Sequence, residues 1–107
     1  MRINDYQKEA MRTRPPKADI VNAALGLAGE SGEFADLIKK ALYHGHDFDR
    51  VHLGKELGDI CWYIALAADI LGYDLETIMQ MNVDKLKARY PDGFDTERSK
   101  HRVEGDI

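Results

Sequence analysis

Apolar residues recur at intervals of three and four along most of this chain, the spacing of one helical face. Ile20, Val21, Ala24, Leu27, Ala28, Phe34, Leu37, Ile38, Ala41 and Leu42 follow Asp19 in that rhythm and predict a helix over about 19–42. Leu53, Leu57, Ile60, Ile64, Ala67, Ala68 and Leu71 predict a second long helix over about 50–71, ended by Gly72. A shorter helix is expected before them, opened by Asn4 or Asp5 and stopped near Thr13 by Arg14-Pro15-Pro16, because proline cannot continue a helix and restricts the residue before it. Another is expected after them, capped by Asp74, carrying Leu75, Ile78, Met79, Val83 and Leu86, and running out near Tyr90 before the turn signal Pro91-Asp92-Gly93. Tyr43-His44-Gly45-His46-Asp47 reads as a loop, and the polar stretch from about Phe94 as a tail or arm.

No alternating run suggests a sheet and no solenoid period repeats, so the fold class is all-α, four-helix-bundle-like, in a single domain spanning 1–107. The two long apolar faces are broad enough that a dimer completing a four-helix core is expected. Gly26, Gly29 and Gly32 sit inside the first long helix at a cost of up to about 1 kcal/mol each, so something other than propensity must favour small residues there.

Composition narrows the class. With 44% apolar and 32% charged residues the chain can bury a core. Its net charge of −4 argues against the general phosphate attraction on which nucleic-acid binding depends, so any phosphate site must be local. No apolar stretch approaches the roughly 18 residues needed to span a bilayer and no signal peptide is apparent, so a cytoplasmic protein with no membrane partner is expected. The single cysteine, Cys61, lies in the apolar run Ile60–Ile64 and is expected to be a buried small hydrophobe.

The chemistry lies in four acids. Glu30 and Glu33 are three residues apart, as are Glu56 and Asp59, which puts each pair within about 60° on its helix and about 4.5 Å along it. All four are on or beside the apolar stripes: Glu30 precedes Phe34 by one turn, Glu33 precedes Leu37, Glu56 lies between Leu53 and Ile60, and Asp59 precedes Tyr63. A lone Glu-x-x-Glu among 19 acidic residues is ordinary surface decoration. Two such pairs on successive long helices, each flanked by glycines (Gly29 and Gly32; Gly54 and Gly58), are not. Carboxylates turned towards a core lose hydration worth several kcal/mol each, and a divalent cation held by oxygen is the economical counter-ion. Ligation without histidine or cysteine favours Mg²⁺, with Mn²⁺ as a substitute, over zinc. A di-iron bundle would need Glu-x-x-His, which is absent from these pairs.

Taken together, Gly26-Leu27-Ala28-Gly29-Glu30-Ser31-Gly32-Glu33, Ile38-Lys39-Lys40, His44-Gly45-His46, Glu56-Leu57-Gly58-Asp59-Ile60-Cys61-Trp62-Tyr63, and Asn82-x-x-Lys85-Leu86-x-x-Arg89-Tyr90-Pro91-x-Gly93-Phe94 resemble the MazG-like nucleotide pyrophosphohydrolases over about residues 4–102. The resemblance implies a Mg²⁺-dependent enzyme, active as a homodimer or homotetramer, that splits a nucleoside triphosphate into the monophosphate and pyrophosphate. It carries Glu30, Glu33, Glu56 and Asp59 over as metal ligands; where some relatives have a further glutamate, this chain has Gly29. Glu33 is the residue expected to orient or deprotonate the attacking water. Lys85 and Arg89, one turn apart near a helix C-terminus where basic residues are common in any case, become candidate phosphate ligands through the resemblance, with Asn82 beside them. Tyr63 shares the face of Asp59 and is the aromatic candidate for substrate contact, whereas Trp62 reads as core and His44 and His46 as exposed loop residues. The substrate itself stays open among general nucleoside triphosphates, dUTP or dCTP, and phosphoribosyl-ATP. A catalytically silent helical module that binds nucleotides or a protein partner is the alternative from another class.

Overall fold

The computed structural model describes residues 1–102 and is all-helical, with no strand among them. Five helices follow in order: α1 (Ile3–Met11), α2 (Ile20–Tyr43), α3 (Arg50–Ile70), α4 (Leu75–Arg89) and α5 (Thr96–Lys100). The chain divides into two compact units, Met1–Leu75 and the remainder from Glu76 onward.

In the first unit α2 and α3 pack along each other and α1 lies against α3. The two long helices begin where aspartates supply the missing acceptors for free amides. Asp19 accepts from the Asn22 backbone N–H at 2.9 Å while the Asn22 side-chain oxygen accepts the Asp19 N–H at 3.1 Å, and Asp49 accepts from Val51 and His52, each at 3.1 Å. Both helices end on a glycine with positive φ, Gly45 at 71° and Gly72 at 80°, a conformation that a Cβ would strain. At Gly72 the turn closes with Tyr73 N–H donating to the Ala68 carbonyl at 2.8 Å, the long-range bond of a Schellman end.

The α1 start differs from the expectation. Asp5 acts from inside the first turn, accepting the Arg2 N–H at 3.3 Å, and the cap position is Arg2, so the helix begins two to three residues earlier. Gln7 on the next turn is buried, and its amide does two jobs at the other end of the unit: Nε2 donates to the Tyr73 carbonyl at 3.1 Å and Oε1 accepts the Leu75 N–H at 2.7 Å. The first amide of α4 is thus satisfied from α1. Trp62 pins α3 to the other end of α1, its indole N–H shared between the Ala10 carbonyl at 3.1 Å and the Thr13 hydroxyl at 2.8 Å. Arg14, just beyond, ion-pairs with Asp69 and donates to the Ala18 carbonyl at 3.2 Å.

The fully buried apolar set is small: Ala23, Ala65, Leu66, Ala68 and Leu75. Three alanines at the contact let the helices approach closely, and Leu66 fills the space between them. Several residues of the expected core stripes, Ile20, Val21, Leu42, Leu57 and Leu71, remain exposed in the single chain. Cys61 is exposed as well, contrary to expectation. Five consecutive apolar residues, Ile60 to Ile64, wrap more than a full turn at 3.6 residues per turn, so they cannot all face one neighbour.

The second unit continues α4 and adds α5, a single short turn capped by Asp95, which accepts from Glu97 N–H at 2.8 Å. The segment read as a polar arm therefore contains a helix, with Tyr90 and Phe94 in ring contact at 5.3 Å just before it. The part of that arm beyond residue 102 lies outside the described residues.

Candidate metal centre

Glu30 and Glu33 come from the middle of α2 and Glu56 from the first half of α3. Each offers a carboxylate oxygen, and the three oxygens lie within 4.8 Å of one another. Oxygens that share one hard cation at about 2.0–2.6 Å necessarily stand this close, so the donor set and its spacing fit Mg²⁺, Mn²⁺ or Ca²⁺. Burial is uneven: Glu33 is exposed, Glu30 is half-buried, and the Glu56 side chain is only 14% exposed. One oxygen each of Glu30 and Glu56, Oε2 in both, is buried with no hydrogen-bond partner. Buried carboxylate oxygens without a donor are costly, and the two orphans belong to the two residues that face each other across the α2–α3 seam.

The electrostatics register the crowding. Loss of water holds the Glu30 carboxyl above the usual glutamate range, and the charges of Glu33, Asp59 and Glu56 push it further in the same direction. Asp59 is exposed and stands outside the tight group of three, yet its charge is felt at Glu30 and also at the Tyr6 phenol of α1.

A cavity of about 500 Å³ opens over the cluster, with Glu33, Glu56 and Asp36 in its wall beside Gly29 and Gly32. A Cβ at either glycine would meet nothing within 4 Å, so these small residues border open space at the acids and are not needed for helix contact. Asp36 carries two cations of its own helix, Lys40 at 2.9 Å and Lys39 at 3.1 Å, and the Lys40 and Lys39 hydrogen bonds hold its carboxyl below the usual aspartate range. The nearest basic group to Glu56 is His52, whose Nε2 stands 3.4 Å from Glu56 Oε1. His52 escaped the sequence reading; its signal was the four-residue step to Glu56, one turn on the same face. A second cavity of about 300 Å³ shares Leu37 and His52 with the first and reaches Lys40 and His46.

The other candidates fall in different places. Tyr63 lies one turn beyond Asp59 on α3 and lines a third cavity, of about 590 Å³, with Trp62 standing edge-on to it at 5.0 Å. Asn82, Lys85 and Arg89 are on α4 in the second unit, Asn82 and Lys85 exposed and Arg89 half-buried.

An all-helical chain that brings three carboxylates from two adjacent helices together presents a group of oxygen donors that could hold a hard cation. Residues 21–94 match the MazG nucleotide pyrophosphohydrolase domain, and the chain belongs to that family. It is also 41% identical over 69 residues to the Gene 37 protein of Mycobacterium phage L5, an overlap that covers 61% of this chain and 60% of the phage protein. The chain thus spans less than two thirds of that relative's length. No solved structure matches it.

Proposed function

We propose that the protein hydrolyses nucleoside triphosphates to the monophosphate and pyrophosphate in a Mg²⁺-dependent reaction. The observation that carries this reading is the approach of one carboxylate oxygen each of Glu30, Glu33 and Glu56 to within 4.8 Å of one another, with Oε2 of Glu30 and of Glu56 buried and unpartnered, beside a cavity of about 500 Å³ that Glu33 and Glu56 line. A divalent cation held there supplies charge neutralisation for phosphate oxygens and lowers the pKa of a bound water.

The chain's own residues divide the remaining work. Glu30, Glu33 and Glu56, with Asp59 beside them, would hold the ion. Glu33, exposed at the cavity wall, orients the attacking water and accepts its proton. Water oxygen bonds to phosphorus on one side of the α–β bridge, and the bridging oxygen departs with the other phosphate. Lys85, Arg89 and Asn82 are proposed to hold phosphate oxygens that the ion leaves uncovered. A homodimer is proposed to cover the apolar residues that α2 and α3 leave exposed.

A panel of nucleoside triphosphates assayed with Mg²⁺ for pyrophosphate and monophosphate tests the reading directly. Release of both products in equal amounts, lost on chelation and in Glu33→Gln, is expected. Cation binding with no pyrophosphate from any nucleotide would instead mark a silent binding module and end the proposal.

A further inference from the structure

The two oxygens of the Glu56 carboxylate have different surroundings. Oε2 is buried without a partner, like Oε2 of Glu30, whereas Oε1 stands 3.4 Å from Nε2 of His52. The helix itself builds this contact. His52 and Glu56 are four residues apart on α3, and helical side chains lean back toward the N-terminus, which lays Glu56 over His52. The His52 backbone is pinned in turn, its N–H donating to the Asp49 carboxylate at 3.1 Å. The Glu56 side chain is 14% exposed and that of His52 51%, so the ring stands at the solvent edge of a largely buried carboxylate. Both residues line the cavity beside the acids, although His52 is outside the tight group of Glu30, Glu33 and Glu56.

Beside a carboxylate oxygen an imidazole turns its proton-bearing nitrogen inward, because a bare ring nitrogen would set one lone pair against another. Nε2–H of His52 is therefore a donor aimed at Oε1, at a separation that a small closing motion brings to a hydrogen bond. A carboxylate with one oxygen engaged by an N–H donor offers only the other to a cation. Mg²⁺ loses nothing by this, since it takes octahedral donors at about 2.0–2.1 Å and is served by single oxygens; Mn²⁺ shares its octahedral habit. Ca²⁺ does lose, because it surrounds itself with about 6–8 oxygens at about 2.3–2.6 Å and gains from bidentate carboxylates.

We propose that His52 is a specificity-positioning residue of the metal centre: by holding Oε1 of Glu56 it keeps that carboxylate to a single ligand atom, Oε2, and so selects Mg²⁺ and Mn²⁺ against Ca²⁺. The proposal rests on the acidic cluster being a cation site and is independent of the reaction performed there.

The test is a calorimetric titration of the full chain with Mn²⁺ and, separately, with Ca²⁺, for wild type, His52→Ala and His52→Gln. Neither substitution touches the Asp49 cap, which acts on the His52 backbone, so both variants are expected to fold and to melt near wild type. Wild type should bind Mn²⁺ at least tenfold more tightly than Ca²⁺. Loss of a partner outside the coordination sphere weakens a metal site by about 10–100-fold, so His52→Ala should lose Mn²⁺ affinity on that scale while Ca²⁺ affinity holds or rises, the freed Oε1 serving as an added ligand atom. His52→Gln restores an N–H donor one turn before Glu56 and should recover most of the Mn²⁺ preference. A purely structural role would lower both affinities together. A Mn²⁺-to-Ca²⁺ ratio in His52→Ala within twofold of wild type overturns the proposal, as does a wild-type protein that binds the two ions equally. Binding of neither ion to wild type would refute the cation site and the proposal together; binding of both with an unmoved ratio would leave the cation site standing and remove His52 from it.

Discussion

Glu56→Gln separates the cost of the acidic cluster from its use. The substitution keeps shape and removes one of three carboxylates that lie within 4.8 Å, at a position where Oε2 is buried and unpartnered. In metal-free protein it should therefore leave the melting temperature unchanged or raise it, since a costly charge is removed. With cation the sign reverses. A ligand at 100 times its dissociation constant stabilises the folded state by about 2.7 kcal/mol, and a domain of this size shifts by about 4–8 °C per kcal/mol, so the wild-type protein should gain roughly 10–20 °C with saturating Mn²⁺. Even the loss of an outer-shell partner weakens metal sites by about 10–100-fold, which sets a floor for loss of a direct ligand. At the same Mn²⁺ concentration the variant is then stabilised by at most about 0.4–1.4 kcal/mol. Differential scanning calorimetry at one fixed protein concentration, with and without Mn²⁺, measures both arms. A Glu56→Gln protein that melts well below wild type without metal, or that keeps the full Mn²⁺ shift, would refute the reasoning.

Other consequences follow from the same structure. Asp36, whose carboxyl is held low chiefly by Lys40 and then Lys39, contributes stability that is present above the ordinary aspartate range and lost as pH falls through its lowered value; Asp36→Asn should remove that acid-side loss in melting curves taken against pH. Glu30 works in the opposite sense, its raised pKa making metal-free protein less stable as pH rises through and above the ordinary glutamate range, so Glu30→Gln should flatten that decline. Lys85→Ala should raise KM for the triphosphate several-fold with little change in melting temperature, and unaltered steady-state kinetics would remove it from the site. Leu66→Ala, at a residue 1% exposed among three buried alanines, should cost about 2–5 kcal/mol in urea unfolding.

The helices were legible because their determinants are local. Asp19 and Asp49 cap the amides two or three residues ahead of them, Gly72 carries the positive φ that stops α3, and each can be read in a window of a few residues. The acidic pairs were legible for the same reason, since three-residue spacing sets a common face before any packing is known. What escaped depends on contacts between distant segments. Gln7 reads as one more polar residue on α1, and only the fold brings Leu75, 68 positions later, to its amide. Gly26 reads as a helix weakener until Tyr63, from the next helix, is laid across it. His52 was hidden differently: its relation to Glu56 matters only once Glu56 is known to be largely buried. Cys61 shows the limit of composition, because an apolar run tells that burial is sought but not which of its residues finds it.

The two deficits of the single chain fall on the same helices. Two carboxylate oxygens on α2 and α3 are buried without partners, while Leu25 and Leu57, on the same helices, are 69% and 47% exposed. Leu57 is adjacent in sequence to Glu56, so a second copy that covered it would also exclude water from the edge of the acidic cluster. Lower local dielectric raises the cost of like charges held together and strengthens their attraction for a cation by the same physics. Were a second copy to pair there, association of the apolar faces and uptake of an ion would be thermodynamically linked: the bare cluster would oppose pairing, the ion would remove that opposition, and pairing would in turn tighten the hold on the ion.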